Sequence, residues 1–192
     1  DLLGVYDPDV VAVQLNLISS HDAPRALTVL GGDTAGLRMA TLLQCMLPGA
    51  PCIYYGDEIG MRGGNDPANR AGFPWDAGGW DDDLRSFVRS VLALRAAEPA
   101  TRHGATTSIG ADGPAMAIER RLNDARLILA MNAGDGEMEL ELVVEGIGEG
   151  RLQPVELAGV NPGSEVDVRD GRARIPVPPR TGRVLRVAMS DA

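Results

Sequence analysis

The sequence predicts an α/β segment built on parallel strands over residues 1–99, joined to an antiparallel β-sandwich over residues 100–192. Three observations carry that expectation. Before Pro99, apolar stretches alternate between strand-like and helix-like patterns in the order strand, helix, strand, helix, which is the order of parallel βαβα units. After Pro99, short runs with a period of two are separated by turn dipeptides. Gly (24) and Pro (13) are plentiful while aromatics make up 4% of the chain, which suits a turn-rich β portion.

In the first part, residues 10–19 carry Val10, Val11, Val13, Leu15, Leu17 and Ile18 and read as a strand buried on both faces. Gly31-Gly32-Asp33-Thr34 reads as a helix entry capped by Asp33 or Thr34. Leu37, Ala40, Leu43 and Leu47 fall at helical spacing, and Pro48-Gly49 ends the helix. Residues 51–55 form a second short apolar strand, closed by Gly56, and a long loop follows from Asp57 to about Trp80. Asp81, Asp82 and Asp83 open another helix, where negative charge suits the dipole. Its apolar stripe is Leu84, Phe87, Val88, Val91 and Leu92.

In the second part, residues 115–121, 126–131, 138–144, 151–157, 172–177 and 183–187 read as strands, within a total of about eight. Turn signals stand at Asp112-Gly113, Asn123-Asp124, Gly134-Asp135-Gly136, Asp170-Gly171 and Thr181-Gly182. Many short strands at regular spacing make an antiparallel sandwich. Two parallel strands and two helices cannot cover both faces of a sheet. The chain also opens at Asp1-Leu2-Leu3 without an initiator Met. The expectation is a fragment: the last quarter of a larger α/β unit followed by a complete β domain.

Composition narrows the function. With 44% apolar and 23% charged residues, the chain has the make-up of a globular protein. The net charge is -9 and all 18 basic residues are Arg, with no basic stripe, so a nucleic-acid partner is not expected. No apolar run reaches the roughly 18 residues needed to cross a membrane. No signal peptide is visible, which favours a cytoplasmic over a secreted protein and leaves the compartment open. Cys45 and Cys52 read as buried thiols, and neither a metal site nor a cofactor is expected in this chain.

Two polar clusters follow the two strands: Ser19-Ser20-His21-Asp22 with Arg25 behind it, and Gly56-Asp57-Glu58. The C-terminal ends of parallel strands are where ligands bind and react. By spacing alone these groups equally serve as caps of the following helices, paired with Arg25 or Arg38. Arg25 reads as a residue that orients Asp22 rather than one that touches a ligand. Asp57 and Glu58 read as residues that fix their loop. Asp66 and Arg70, four residues apart, read as a binding pair or as a simple ion pair. Trp75 and Trp80 read as packing residues.

The residues 15–25, Leu-Asn-Leu-Ile-Ser-Ser-His-Asp-Ala-Pro-Arg, resemble the segment at the seventh barrel strand of the α-amylase superfamily, closest to the cyclomaltodextrinase, neopullulanase and maltogenic amylase group. Residues 48–60 resemble its eighth strand, and Gly63-Gly64-Asn65-Asp66-Pro67-Ala68-Asn69-Arg70 the loop that follows. The resemblance covers about residues 7–98. Residues 19 and 23 depart from it, since the group usually has Asp or Gly for Ser19 and Thr for Ala23. The resemblance implies that residues 1–99 are the last two βα units of a (β/α)8 barrel, followed by the sandwich. It implies a retaining glycosidase acting on α-glucan oligosaccharides, whose nucleophile and proton donor lie upstream of Asp1, so the chain alone is expected to be inactive. Asp22 matches the third carboxylate, which stabilises the transition state, His21 its neighbouring hydroxyl donor, and Asp66 and Arg70 contacts to sugars further toward the non-reducing end. Exposed barrel edges are expected to be covered by the missing part of the barrel or by self-association.

Two other functions compete. An amylase-fold ectodomain that supports a membrane transporter needs no intact His-Asp pair, and this chain keeps one. A stand-alone sugar-binding module needs an aromatic face, and residues 100–192 contain no Phe, Trp or Tyr.

Overall fold

A computed structural model describes residues 4–189, so the Asp1-Leu2-Leu3 opening lies outside the described residues. The chain divides into two compact units, one up to Ala97 and one from Glu98.

The first unit departs from expectation at its start. Residues 10–13 are helical. Asp7 accepts a hydrogen bond from the Asp9 N–H (2.9 Å) and Pro8 occupies the first turn, so helix α1 runs Pro8–Val13. Asp7-Pro8 is thus a helix start rather than the edge of a strand. Strand β1 is only Leu15–Leu17 and pairs in parallel with β2, Ala50–Cys52, in the register Leu15↔Ala50 and Leu17↔Cys52. Both strands are shorter than expected, and neither lies buried on both faces: Leu15 and Leu17 are exposed. A short helix α2, Ala26–Val29, was not predicted.

The crossover between the strands is helix α3, Thr34–Met46, with Asp33 as its cap, accepting from the Gly36 N–H at 3.0 Å. Its buried face is Leu37, Leu42, Cys45 and Met46, and it packs on helix α4, Asp82–Ala97. Ala40, Leu43 and Leu47, read at the same helical spacing as Leu37, instead line an open groove beside β1, with a volume of about 380 Å³. Asp81 caps α4 through the Leu84 N–H (2.8 Å). The α4 stripe is Leu84, Phe87, Val88, Val91 and Leu94; Leu92 lies outside it, turned to solvent. Burial pushes the Cys45 thiol up to about 11, against the pull of Arg95, so it is an inert core thiol.

Two polar side chains lock this α/β unit. The Gln44 amide on α3 donates to the Asn16 and Cys52 carbonyls (2.6 and 3.1 Å), one from each strand. Arg95 on α4 is buried and donates to the carbonyls of Cys45, Leu47 and Gly49, which are the loose C-terminal acceptors of α3 and its exit loop. Gly49 itself is required there: its φ is +93°, and an added Cβ would come within 2.6 Å of the Gln14 carbonyl oxygen.

The second unit opens with helix α5, Pro99–His103, which was not predicted. Among the described residues eight strands follow: β3 Ala105–Asp112, β4 Ala115–Leu122, β5 Ala125–Asn132, β6 Met138–Val143, β7 Gly150–Pro154, β8 Val166–Val168, β9 Arg172–Val177 and β10 Thr181–Met189. They form a six-stranded antiparallel sheet in the order β3-β4-β5-β10-β7-β8 and a two-stranded antiparallel sheet β6-β9. The strict alternation of β6 and β9 sends Leu140, Leu142, Ala173, Ile175 and Val177 inward onto Ala117, Ile128, Ala130 and Leu185. Strands β3 and β8 were not predicted. Thr181-Gly182 is not a turn: both residues sit in β10, Gly182 opposite Met131, and the chain reverses just before them at Arg180 (φ +53°).

The two sheets are tied by Asn132 at the end of β5. It is fully buried and donates to the carbonyls of Gly136 (2.8 Å), Val177 (3.1 Å) and Pro178 (3.3 Å), while its own oxygen accepts from the Gly134 N–H (2.9 Å). Replacing it with Leu removes these four hydrogen bonds, one of them to the buried Val177 carbonyl, at about 0.5–1 kcal/mol each. Asn132→Leu is therefore expected to lower the stability of the chain by about 2–3 kcal/mol in urea unfolding. An unchanged midpoint would show that the sheets do not depend on it.

Candidate functional site

The site is built from the segments beyond the C-terminal ends of the two parallel strands. After β1 the chain turns inward at Ser19, which is buried and whose hydroxyl accepts the Ala26 N–H at 2.9 Å, closing residues 19–26 into a loop. At the crest of the loop the chain turns out again. His21, Asp22 and Ala23 are exposed, and the Asp22 N–H donates to the Ser20 hydroxyl (3.1 Å). The His21 Nε2 and an Asp22 carboxylate oxygen lie 3.3 Å apart, with the side chains 65% and 81% exposed. A carboxylate in that position has free lone pairs for incoming hydroxyl groups, and the imidazole beside it can donate to the same partner.

The frame behind this crest is buried and charged. Arg25 has no exposed surface. Its guanidinium donates to the Tyr55 carbonyl (2.7 Å) and to the Asp57 carboxylate (3.1 Å), and lies 4.6 and 4.7 Å from the ring centroids of Tyr54 and Tyr55. Its hydrogen bonds thus go to the end of the β2 segment rather than to Asp22. The Arg25 backbone N–H meets the Gly63 carbonyl (2.9 Å), and the Gly63 N–H meets the Thr28 hydroxyl (2.9 Å). Burial pushes the Asp57 carboxyl above the ordinary aspartate value, opposed by hydrogen bonds from Ser19 and Arg25. Glu58 fixes its own loop by accepting the Gly56 N–H (2.8 Å).

The long loop after β2 carries single helical turns at Asp57–Ile59, Ala68–Arg70 and Ala77–Gly79. Arg70 is paired with Asp66, both partly exposed. The hydrogen bond and charge of Asp66 raise the Arg70 pKa above its usual value, with smaller contributions from the charges of Tyr54 and Asp22, so Arg70 and Asp22 share one electrostatic neighbourhood. Between Asp66 and Arg70 the chain buries Asn69, whose amide donates to the carbonyls of His21 (2.8 Å) and Ala23 (3.1 Å). Trp80 packs, with its indole N–H on the Pro74 carbonyl and its ring against Phe73 and Arg85. Trp75 does not: it touches Phe73 but is 84% exposed.

The structure thus puts His21 and Asp22 at the crest, Arg25 beneath them, and Asp66 and Arg70 on the adjoining loop. Ser19 and Asp57 take the capping and Arg25-pairing roles that the spacing left open for the two clusters, whereas Asn69 has no counterpart among the expected residues. A buried polar residue in an irregular loop leaves no periodic trace, so nothing in the spacing marks Asn69. Among the described residues, no group of three or more His, Cys, Asp or Glu gathers as a metal site. Among them, too, no helix is long and apolar enough to cross a membrane.

Comparison with known proteins agrees with this architecture. Residues 7–105 match the family model for the α-amylase catalytic domain. The chain is 35% identical to a cyclomaltodextrinase of Geobacillus thermopakistaniensis over 77% of its own length and 26% of that protein's. It is 33% identical to neopullulanase 2 of Thermoactinomyces vulgaris, over 88% of this chain and 28% of that one. The native structure of the Nostoc punctiforme debranching enzyme superposes with a TM-score of 0.83 at 32% identity, covering 96% of this chain and 37% of that one. The chain thus spans about a quarter of the length of the first two relatives.

The buried pair makes the frame testable. Removing one partner leaves an uncompensated buried charge, so Arg25→Ala is expected to cost about 3–5 kcal/mol in chemical unfolding; a loss below about 1 kcal/mol would mean that the pair is not structural. Because the folded pKa of Asp57 is raised, the native state holds a proton that the unfolded state has released once pH passes 3.8. The stability of the wild type relative to Asp57→Asn should therefore fall as pH rises from 3.8 through the folded pKa. A difference that rises with pH across that window would reverse the sign of the effect.

Proposed function

Because the chain belongs to the α-amylase catalytic-domain family, we propose that its residues form the closing part of a retaining glycosidase or transglycosylase acting on α-glucan oligosaccharides. The observation that carries this reading is the His21–Asp22 crest: an exposed carboxylate with an imidazole beside it, beyond the end of a parallel strand and held from behind by buried residues. Cyclodextrin-, pullulan- and branch-acting relatives support the substrate class by their names.

In this reading a carboxylate nucleophile attacks the anomeric carbon while a carboxylic acid protonates the departing oxygen, about 5 Å away. Those two groups come from barrel strands outside the 192 residues, a view supported by the share of the relatives that the chain spans. Asp22 accepts hydroxyls of the sugar at the cleavage point, and its negative charge opposes the positive charge that grows on the ring. Both effects strengthen as the ring flattens, so they act on the transition state more than on the bound substrate. His21 donates to a hydroxyl of the same sugar. Asp66 and Arg70 hold sugars further toward the non-reducing end, and Arg25 keeps the loop in place from below. The chemistry runs on carboxyl groups and water and draws no cofactor from this segment.

The exposed Leu15 and Leu17 and the groove between β1 and α3 are where the preceding barrel elements pack. Burial of those two leucines on assembly would contribute about 1.5–3 kcal/mol each at most.

In the protein that carries the whole barrel, Asp22→Asn is expected to lower kcat on maltooligosaccharides by about 10²–10³ with little change in KM. Full kcat in that variant would sink the assignment. The 192 residues alone are expected to release no reducing sugar from starch, pullulan or cyclodextrin, and measurable turnover by them would contradict this division of labour.

A further inference from the structure

Asp22 stands on three consecutive exposed residues, His21, Asp22 and Ala23, which have no burial of their own to hold them. A side chain meant to meet a transition state must nevertheless be held within a fraction of an ångström. The structure shows what holds it. The side-chain amide nitrogen of Asn69, 1% exposed, donates to the carbonyls of the two residues that flank Asp22, His21 and Ala23, 48 and 46 residues away in sequence. The Asp22 N–H is fixed separately by Ser20. The peptide group before Asp22 and the second one after it are thus held from inside the protein, leaving the carboxylate open to solvent beside the His21 imidazole.

The clamp itself is built to stay put. Asn69 sits in the turn Ala68–Arg70, and Gly63 lies so close beneath this turn that an added Cβ would fall 2.4 Å from the Ala68 carbonyl oxygen. Gly63 is in turn bonded to the Arg25 backbone and to Thr28. The residues that bracket Asn69 in sequence, Asp66 and Arg70, form the ion pair on the same loop. A hydrophobic residue of the same size would fill the space but hold neither carbonyl.

We infer that Asn69 is a positioning residue for the proposed reaction, fixing the Asp22 carboxylate through the backbone on either side of it. This rests on the reading of Asp22 as the carboxylate that stabilises the transition state.

The test uses the full-length enzyme and maltooligosaccharides. Asn69→Leu keeps the volume without donors, and Asn69→Asp keeps the shape but removes the amide. Both are expected to lower kcat about 10- to 100-fold with KM changed by less than about threefold. In the Asp22→Asn background the same substitutions should cost almost nothing more, because the group they position is already gone. Full activity in both variants, an effect confined to KM, losses that multiply undiminished with that of Asp22→Asn, or failure of both variants to fold would each overturn the inference. If instead Asp22→Asn itself keeps full kcat, it is the functional reading that fails.

Discussion

The candidate site depends on one buried contact, between the Arg25 guanidinium and the end of the β2 segment. Arg25 belongs to the loop after the first strand, while Tyr55 and Asp57 belong to the loop after the second. Parallel strands bring these loops to the same end of the sheet, but a strand pair three residues long cannot by itself fix their shapes. A cation with no exposed surface, set between two tyrosine rings and a carboxylate, does so, because its charge can be satisfied in few geometries. The raised pKa of Asp57 shows that the carboxylate is held at a desolvation cost that the pairing does not fully offset. Such an arrangement favours one conformation of two loops more than it adds stability.

The site therefore has an inside and an outside with different chemistry. Inside are Arg25, Asp57, Ser19 and Asn69, buried and committed to protein partners. Outside are His21, Asp22, Asp66 and Arg70, each with polar atoms facing water. An exposed carboxylate has little rigidity of its own, since its neighbours in sequence are exposed too. For Asp22 the order comes from hydrogen bonds that reach the backbone from below, leaving its side-chain oxygens to solvent and the adjacent His21 imidazole. That separation lets a polar group remain both fixed and available.

The sandwich unit solves a different problem with the same device. Its layers are driven together by alternating apolar residues, an interaction without direction. Asn132 supplies direction, pairing the end of β5 with the end of β9. The Glu119–Arg126 pair does likewise within the larger sheet, where Arg126 also reaches the Glu145 carbonyl. A buried amide or ion pair has few ways to be satisfied, so it selects one stacking among those that hydrophobic burial alone would tolerate.

Much of this was legible in the linear sequence. Alternation in β6 and β9, the cap at Asp33, the acidic helix start at Asp81, Asp82 and Asp83, and the His21-Asp22 motif depend on neighbours a few residues apart, and short-range chemistry leaves a short-range pattern. The apolar run through residues 10–13 misled, because its composition suits a strand equally well and only the Asp7-Pro8 cap, together with packing of Val11, makes it a helix. The turn assigned to Thr181-Gly182 failed for a related reason: its pairing is decided by β5, some 50 residues away. So the linear order of residues was enough to say which types stand at the strand ends, and hence which chemistry is available there. Only the folded chain decided that Arg25 turns to Asp57, that Asn69 brackets Asp22 and that Trp75 stays exposed. Those outcomes rest on contacts between segments 30 or more residues apart, or on whether any segment covers a side chain, and neither leaves a mark in local periodicity.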